Sequence, residues 1–253
     1  MNPSLRSKRI YVTGAARGIG FACVRQLLAK GALIGATDIA LTGELKALAA
    51  GSNERLLIFE CDVSCPHSVS EAYEHFSSAI GPPNGLVCAA GMLSKKSLLE
   101  TDIDLWRRTF SVNVDGSMLW MRAVAKAMID EREGSIVLFA SQLTRSGGRD
   151  NAAYVASKSA VIGLGRAAAL ELASYNIRVN TIVPGSTDTP MYRDGMQRFN
   201  DPTAAMEKSR LRHPMQRLAT ADEIANGVLF LLSCESGFAT GAELIIDGGW
   251  TIG

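Results

Sequence analysis

The feature that most constrains the fold is the regular alternation of short apolar runs with longer helical patterns. The candidate strands are RIYVT (9–13), ALIGAT (32–37), RLLIFE (55–60), GLVCA (85–89), SIVLFA (135–140), IRVNTIV (177–183) and AELIID (242–247). Several of these runs are apolar on both faces, which is typical of strands buried in a parallel sheet. The helical patterns lie near 18–30, 41–50, 67–80, 102–132, 152–174 and 221–233. Repeated βα units predict a parallel sheet with helices on both faces and right-handed crossovers.

Length and continuity favour one domain. The 253 residues fit one large α/β domain or two small ones, and no linker, repeat or low-complexity tract divides them. We therefore expect residues 1–253 to form a single domain. Residues 186–214 break the alternation, because they are polar, contain three prolines and show weak periodicity. Such a segment inside a compact domain is usually a lid or a binding loop, and the alternative is a disordered insertion.

Charge and composition exclude several kinds of partner. The formal net charge is +1, from 26 basic and 25 acidic side chains, and no block of lysine or arginine suggests a nucleic-acid or membrane surface. The first residues contain no apolar segment of the kind found in secretory signal peptides. No apolar stretch approaches the roughly 20 residues that span a bilayer. We therefore expect a cytoplasmic protein that binds neither nucleic acid nor membrane.

The five cysteines do not form a disulfide or metal pattern. Their odd number and the lack of a CxxC pair indicate reduced thiols, most of them packed as small hydrophobic side chains. Cys61, Cys65 and His67 lack a second pair of ligands, so we expect no metal site.

A tyrosine and a lysine in the pattern over 152–174 point to acid/base chemistry. Tyr154 and Lys158 are four residues apart, so a helix places them on one face. A tyrosine with an ordinary pKa of about 10 needs roughly 4 kcal/mol to reach a pKa near 7. One cation about 4 Å away, at an effective dielectric of about 20, supplies roughly that amount. The pair predicts an acid/base catalyst, and a YxxxK pair exposed on a helix is the alternative.

A glycine-rich run, TGAARGIG (13–20), follows the first candidate strand and opens the first helix. Gly14 permits a tight turn, while Gly18 and Gly20 let the backbone approach a pyrophosphate and let the helix pack on the sheet. The helix N-terminus then offers free N–H groups to the phosphates. This strand–loop–helix context predicts a dinucleotide site.

Asp38 indicates which dinucleotide binds. A carboxylate at the end of the second strand can accept hydrogen bonds from both hydroxyls of an adenosine ribose, and it repels a 2′-phosphate. We therefore expect NAD(H), although Arg17 could reach a 2′-phosphate and favours NADP(H). Asp62 and Val63, just after the third strand, can hold the adenine edge. Either aspartate could instead cap the following helix.

These pieces together resemble the short-chain dehydrogenase/reductase family over nearly the whole chain. The matching segments are TGAARGIG, Asp38, Asp62-Val63, CAAG (88–91), Asn113 in FSVNVDG, Ser141, Tyr154-x-x-x-Lys158, PGSTDT (184–189) and the C-terminal DGG. The resemblance implies an α/β, Rossmann-type, doubly wound domain with seven parallel strands. It also implies an oxidoreductase with a catalytic tetrad of Asn113, Ser141, Tyr154 and Lys158.

The resemblance assigns a role to each member of the tetrad. Tyr154 transfers a proton to or from the substrate oxygen, and Ser141 hydrogen-bonds the same oxygen. Lys158 binds the nicotinamide ribose and lowers the pKa of Tyr154, while Asn113 holds a water that relays protons to solvent. The expected NAD contacts are Gly14, Arg17, Gly18, Ile19, Gly20, Asp38, Ile39, Asp62, Val63, Ala89, Ala90, Gly91, Asn113, Tyr154, Lys158, Pro184, Gly185, Thr187 and Thr189.

The same resemblance bears on the substrate. PGSTDTPM, ELASYNIRVN and DGGWTIG look most like dehydrogenases of 2,3-dihydro-2,3-dihydroxybenzoate. Those enzymes usually carry arginines where this chain has Ser94 and Gly148, and Lys95, Arg145, Arg149 or Arg193 could replace the charge with different geometry. The broader expectation is a secondary alcohol or ketone on a small, cyclic molecule. Expected substrate contacts, whose alternative role is packing of the lid, are Ser141, Gln142, Leu143, Leu93, Met191 and Tyr192.

Two other functions stay open at this point. One is an NADP(H)-dependent carbonyl reductase of 3-oxoacyl or sugar substrates, and the other is a non-catalytic nucleotide-sensing protein. The tetrad argues against the second, since a sensor needs no Tyr-Lys pair. Relatives are usually tetramers or dimers built from the helices near 102–132 and 152–174 and the C-terminal strand. We expect a homo-oligomer, a tetramer rather than a dimer.

Overall fold

One parallel sheet organises the chain. The computed structural model describes residues 5–252, and within them seven strands pair in the order β3-β2-β1-β4-β5-β6-β7, every pair parallel. They are β1 (Arg9–Thr13), β2 (Leu33–Asp38), β3 (Leu56–Glu60), β4 (Gly85–Cys88), β5 (Gly134–Phe139), β6 (Ile177–Pro184) and β7 (Glu243–Ile246). The doubly wound, seven-stranded sheet predicted from the sequence is confirmed. Its strand order reverses between β1 and β4, the place where such sheets open a crevice at the carboxyl ends of the strands.

Helices cover both faces of the sheet. They are α1 (Gly18–Ala29), α2 (Gly43–Ala50), α3 (Pro66–Ile80), α4 (Ile103–Phe110), α5 (Gly116–Glu131), α6 (Leu143–Ser146), α7 (Ala152–Leu172), α8 (Pro190–Met196), α9 (Pro202–Leu211) and α10 (Ala221–Leu232). Thr220 and Glu223 form a reciprocal capping box at the start of α10, as their spacing indicates. No helix in the described part of the chain is long and apolar enough to cross a membrane.

The single helix predicted over 102–132 is interrupted. A π-helical turn, Ser111–Asp115, separates α4 from α5, and its flanking residues keep right-handed helical backbone angles. The apolar pattern continues through such a turn because the chain stays helical and only the hydrogen-bond spacing changes. Periodicity alone therefore does not reveal the interruption.

Segment 186–214 contains two short helices, α8 and α9. Each begins with proline in its first turn, and the side chains of Thr189 and Asp201 cap them. Their periodicity is weak because they are short and expose most of their side chains. Strong start signals are therefore present in a stretch whose hydrophobic pattern predicts only a loop.

Alternating strand residues build two cores, one on each face of the sheet. In β1, Ile10 and Val12 join the core with α1 and α10, whereas Tyr11 joins the core with α3, α5 and α7. Trp120 and Val124, in the run MLWMRAVAKAM, belong to the second core and are 1% and 0% exposed. Burial on both faces explains why the inner strands read as unbroken apolar runs.

Candidate active site

A cleft of about 1510 Å³ lies along the carboxyl ends of the strands. Small-molecule pockets usually measure about 300–1,000 Å³, so this cleft has room for a dinucleotide and a small substrate together. All but one of the predicted site residues line it: Gly14, Arg17, Gly18, Ile19, Gly20, Asp38, Ile39, Asp62, Val63, Ala89, Ala90, Gly91, Leu93, Ser141, Gln142, Leu143, Tyr154, Lys158, Pro184, Gly185, Thr187, Thr189, Met191 and Tyr192. Asn113 is the exception.

Two glycines of the run TGAARGIG leave no room for a side chain. Gly14 has φ +65°, and a Cβ there would lie 2.6 Å from the backbone nitrogen of Ala90. A Cβ on Gly20 would lie 2.0 Å from the carbonyl oxygen of Gly14. α1 begins at Gly18 and carries no acidic side chain in its first turn, so its N–H groups and positive dipole end are uncompensated. This cradle fits the pyrophosphate of a dinucleotide.

Asp38 joins the end of β2 to the glycine loop. Its Oδ2 accepts the N–H of Ala16 at 2.9 Å, and its Oδ1 accepts the N–H of Ile39 at 2.8 Å. The cap of α2 is Thr42, whose side chain accepts the N–H of Leu45. Asp38 is therefore held at the cleft wall by backbone donors, and the alternative that it caps the next helix does not apply.

Asp62 does not cap the helix that follows it either. The N-cap of α3 is Cys65, and Asp62 Oδ1 instead accepts from the N–H and the hydroxyl of Ser64, at 2.9 and 2.7 Å. The neighbouring Val63 is buried, and a Cβ on Gly116 would come within 2.8 Å of its side chain. This tight turn fixes the wall of the cleft where the adenine is expected.

Three members of the predicted tetrad meet in the cleft. α7 carries Tyr154 and Lys158 on one face, with the Lys158 Nζ 5.9 Å from the centre of the Tyr154 ring. This Nζ donates to the carbonyl of Phe139 at 2.8 Å, at the end of β5. Ser141 follows that strand by two residues, and its hydroxyl lies near enough to the Tyr154 phenol to lower the pKa of that phenol. A strand end and a helix face thus bring a hydroxyl, a phenol and an ammonium together.

Burial, rather than the neighbouring lysine, controls the pKa of Tyr154. Desolvation raises this pKa above its ordinary value of 10.0, against the opposing effect of the Ser141 hydrogen bond. Burial also lowers the pKa of Lys158 from 10.5 to about 8. The direction of this shift is opposite to the one expected from Lys158 alone, because burial disfavours a phenolate that has lost its water.

Asn113 lies behind the cleft wall, fully buried in the π-helical turn. Its Oδ1 accepts the N–H of Met92 at 2.8 Å, and its Nδ2 donates to the hydroxyl of Ser157 at 2.9 Å. That hydroxyl donates in turn to the carbonyl of Tyr154 at 2.8 Å. Asn113 does not line the cleft, so the dinucleotide contact expected of it stays a prediction. Its amide instead braces the first turns of α7.

Ser94 is a site residue whose role the sequence did not indicate. It is 2% exposed, and its Oγ accepts the N–H of Tyr154 at 3.0 Å. The N-cap of α7, Asn151, makes no side-chain cap bond, so Ser94 satisfies a free N–H of that helix from outside it. This contact crosses from one element to another and leaves no local signal. The sequence shows only that Ser94 stands where an arginine was expected.

Further polar residues surround the open side of the tetrad. Gln142, a predicted substrate contact, donates from Nε2 to the hydroxyl of Ser186 at 3.3 Å. Among the other residues that line the cleft are Arg149, Asn151, Arg198, Lys208, Arg212 and Trp250. Of these the sequence pointed only to Arg149, as a replacement for a missing charge. Half of them come from segment 186–214, whose basic residues were the available signal. Within residues 5–252, no three His, Cys, Asp or Glu side chains are close enough to hold a metal ion.

Comparison with known proteins covers nearly the whole chain. The family described as enoyl-(acyl carrier protein) reductase matches residues 14–251. The chain is 35% identical over 259 residues to the 2,3-dihydro-2,3-dihydroxybenzoate dehydrogenase of Bacillus subtilis (strain 168), with 98% of each chain covered. It is 36% identical over 255 residues to the trans-4-hydroxycyclohexanecarboxylate dehydrogenase of Sinomonas cyclohexanicum, covering 97% of this chain and 93% of that relative.

A solved structure shows the same architecture. The crystal structure of levodione reductase is similar to this chain with a TM-score of 0.92 and 28% identity, over 97% of this chain and 98% of that one.

Proposed function

The chain belongs to the short-chain dehydrogenase/reductase family, and from that premise we propose that it interconverts a secondary alcohol and a ketone on a small, cyclic molecule with NAD(H). Family membership makes it an oxidoreductase that works with a nicotinamide cofactor. The choice of NAD, the substrate and the roles of the residues are the proposed parts.

The observation that carries the proposal is the convergence of Ser141, Tyr154 and Lys158 in one cleft with the glycine cradle. An acid/base group needs a defined position beside the reacting oxygen, and contacts from other elements position the lysine and the helix that carries the tyrosine. Lys158 is held by the Phe139 carbonyl, and the backbone of Tyr154 by Ser94. A sensor of nucleotides would need the cradle but not this second group.

Tyr154 is the acid/base group. In oxidation the substrate hydroxyl gives its proton to the Tyr154 oxygen, and in reduction the phenol returns a proton to the carbonyl oxygen. Ser141 hydrogen-bonds the same substrate oxygen and holds it in place. When bound, the nicotinamide accepts or supplies the hydride, and its oxidised ring adds a positive charge to that of Lys158. Because burial raises the pKa of Tyr154, the chain by itself favours the phenol, which is the form that donates.

Asp38 supports NAD(H). Its carboxylate is fixed at the end of β2 by two backbone donors, where a ribose hydroxyl would be accepted and a phosphate repelled. Arg17, exposed at the start of α1, favours the competing NADP(H)-dependent carbonyl reductase. The fixed carboxylate outweighs an exposed guanidinium, so NAD(H) is the proposed cofactor.

The cyclic substrate is supported by the names of the relatives, two of which act on six-membered rings. A 2,3-dihydro-2,3-dihydroxybenzoate-like diol is one member of this class. Ser141, Gln142, Leu143, Leu93, Met191 and Tyr192 contact it, and segment 186–214 acts as its lid. The chain works as one domain in a homo-oligomer, a tetramer rather than a dimer.

Turnover by the purified protein tests the proposal. It is assayed with NAD and with NADP on a panel of cyclic secondary alcohols, and in reverse on the corresponding ketones. The expected result is dinucleotide reduction with NAD at higher kcat/KM than with NADP. Preference for NADP and carbonyl substrates supports the reductase instead, and dinucleotide binding without turnover of any substrate supports the sensor.

A further inference from the structure

Basic side chains in segment 186–214 fall into two groups. Arg193 pairs with Asp188 at 2.7 Å, and Arg210 pairs with Glu207; neither arginine lines the cleft. Three others line the cleft and, in the described part of the chain, have no carboxylate within ion-pair distance: Arg198, Lys208 and Arg212. The segment thus neutralises the cations that face away from the cleft and leaves those that face into it without an acidic partner.

A fourth cation of this kind comes from the loop before α7. Arg149 lines the cleft and, within residues 5–252, forms no ion pair. Nη1 of Arg198 donates to the carbonyl of Asp150 at 3.4 Å, so this loop and segment 186–214 approach each other. Positive charge therefore borders the same opening from two sides. We refer to these four residues as the mouth cations: Arg149, Arg198, Lys208 and Arg212.

Acidic residues at this end do not cancel the charge. Asp150 and Asp201 line the cleft, and Asp201 Oδ1 is used to cap α9 by accepting the N–H of Ala204 at 2.9 Å. Neither aspartate pairs with a cation among residues 5–252. Four cations against two carboxylates leave an excess of about two positive charges. A cleft with this excess attracts a ligand of negative charge.

Aromatic rings orient two of the mouth cations. The guanidinium of Arg198 lies 4.9 Å from the ring of Phe199, and that of Arg212 lies 5.5 Å from the ring of Trp250. Stacking on a ring leaves the N–H edge of a guanidinium free, and that edge matches a carboxylate. The two arginines are therefore both placed and available.

Gln142 and Asn151 add an independent observation. Both line the cleft and are 4% and 6% exposed, yet Oε1 of Gln142 and Oδ1 of Asn151 have no hydrogen-bond partner in the described part of the chain. A buried amide oxygen needs a donor, and ligand hydroxyl groups can supply one. These side chains point to a ligand that carries hydroxyls as well as negative charge.

We propose that the substrate is a small hydroxy acid, whose carboxylate binds the mouth cations while a hydroxyl donates to Gln142 or Asn151. The inference rests on the function proposed above and names its substrate class. The mouth cations belong to the elements that follow β5 and β6, whereas the glycine loop and Asp38 follow β1 and β2. The proposed anion site uses other residues than the cradle for the dinucleotide pyrophosphate, where Gly18 approaches Thr189 and Pro190 of the same segment.

Matched pairs of acids and neutral isosteres test the inference. The protein with NAD is assayed on 4-hydroxycyclohexanecarboxylate and on 4-hydroxycyclohexanecarboxamide, which differ little in shape but by one negative charge. We expect kcat/KM to be at least about tenfold higher for the acid, mainly through KM, because the cations bind ground state and transition state alike. The advantage shrinks as ionic strength rises, since these charges are exposed.

Variants locate the effect. Arg149→Gln, Arg198→Gln and Arg212→Gln each raise KM for the acid by about three- to tenfold, leave KM for the amide unchanged and leave NAD affinity unchanged. Arg210→Gln is the matched control, because it removes the same charge from α9 at a residue paired with Glu207 outside the cleft. Weaker NAD binding in the first three variants would place the mouth cations on the dinucleotide and overturn the inference.

A binding measurement separates this inference from the proposed activity. Calorimetry compares cyclohexanecarboxylate with cyclohexanecarboxamide on the protein with NAD, where neither compound can be oxidised at an alcohol. Tighter binding of the carboxylate, weakened in Arg198→Gln, supports the anion site even if no alcohol is turned over, a result that would defeat the proposed activity alone. Equal binding of the two compounds, or binding of neither, overturns the anion site.

Discussion

The two ends of the cleft are built in different ways. At the end proposed to bind the dinucleotide, backbone atoms leave no space: a Cβ on Gly14 or Gly20 would collide with other backbone atoms. At the end proposed to bind the substrate, a Cβ on Gly147 would meet nothing within 4 Å, and the walls are side chains from segment 186–214 and the loop before α7. The first end is lined by closely packed main-chain atoms, and the second by charged and polar side chains on loops and short helices.

This difference explains what each end contributes. A site lined by main-chain atoms tolerates few substitutions, so it suits the cofactor, which is the same whatever the substrate. Side chains on exposed elements can be exchanged without altering the sheet, so they suit the choice of substrate. Tyr154 and Lys158 lie between the two ends, on a helix that is braced by Asn113, Ser157 and Ser94.

The largest expected effect comes from removing the acid/base group, which should lower turnover and leave dinucleotide binding unchanged. Tyr154→Phe is expected to lower turnover by at least about 10²-fold, the usual scale for a lost acid/base group, while the dinucleotide end stays intact. Steady-state kinetics and NAD titration measure the two effects. Retained turnover would refute the role of Tyr154, and loss of NAD binding would show that the ends are not independent.

Replacing Lys158 should show that burying its charge lowers the free energy of unfolding of the protein. Its pKa is about 8 in the fold against an ordinary 10.5. Below pH 8 both states are protonated, and burying the charge costs up to about 3 kcal/mol. Lys158→Met is therefore expected to be inactive yet more stable near pH 7.

The pH dependence of that difference has a definite sign. Between pH 8 and 10.5 the unfolded chain binds more protons than the fold, so wild-type stability rises with pH relative to Lys158→Met. Urea unfolding at about pH 7 and about pH 10 should show the gap closing. Lys46→Met, on the exposed face of α2, is the control for the loss of one ammonium. If the difference in unfolding free energy between wild type and Lys158→Met did not change with pH, the buried charge would be contradicted.

The rigidity of the end proposed to bind the dinucleotide can be tested by replacing one glycine with alanine, which adds a single methyl group. Gly20→Ala is expected to cost about 1–3 kcal/mol and to weaken NAD binding, because its Cβ would lie 2.0 Å from the Gly14 carbonyl oxygen. Gly43→Ala adds the same atom at the start of α2, where nothing lies within 4 Å. Thermal unfolding and NAD titration compare them. Similar behaviour of the two variants would mean that the loop yields easily.

Replacing Asp38 should give the smallest effect on turnover and should change mainly the choice of cofactor. Asp38→Ala is expected to relax the preference for NAD over NADP by about tenfold or more, because it removes a charge that repels a 2′-phosphate. The ratio of kcat/KM for the two cofactors measures it, with turnover by NAD changed less. An unmodified enzyme that already prefers NADP would contradict the assignment at once.

Sequence alone predicted the elements whose signals are local. Strand β1 matches the run RIYVT residue for residue, and the capping box at Thr220 is where its spacing indicates. The glycine run and the Tyr154–Lys158 pair were also readable, because a tight turn and a shared helix face depend only on nearby residues. The short helices α8 and α9 were missed because their apolar faces are too small to give a period.

What the sequence by itself determined is the order of the βα units, the glycine run and the shared helix face of Tyr154 and Lys158, since each follows from backbone rules acting over a few residues. Only the tertiary structure decided that Ser94 braces Tyr154, that Asn113 lies behind the wall, and that four cations face one opening. It also reversed the expected shift in the pKa of Tyr154. These properties depend on burial and on contacts between distant parts of the chain, and no local pattern records how much water a side chain loses when the fold closes around it.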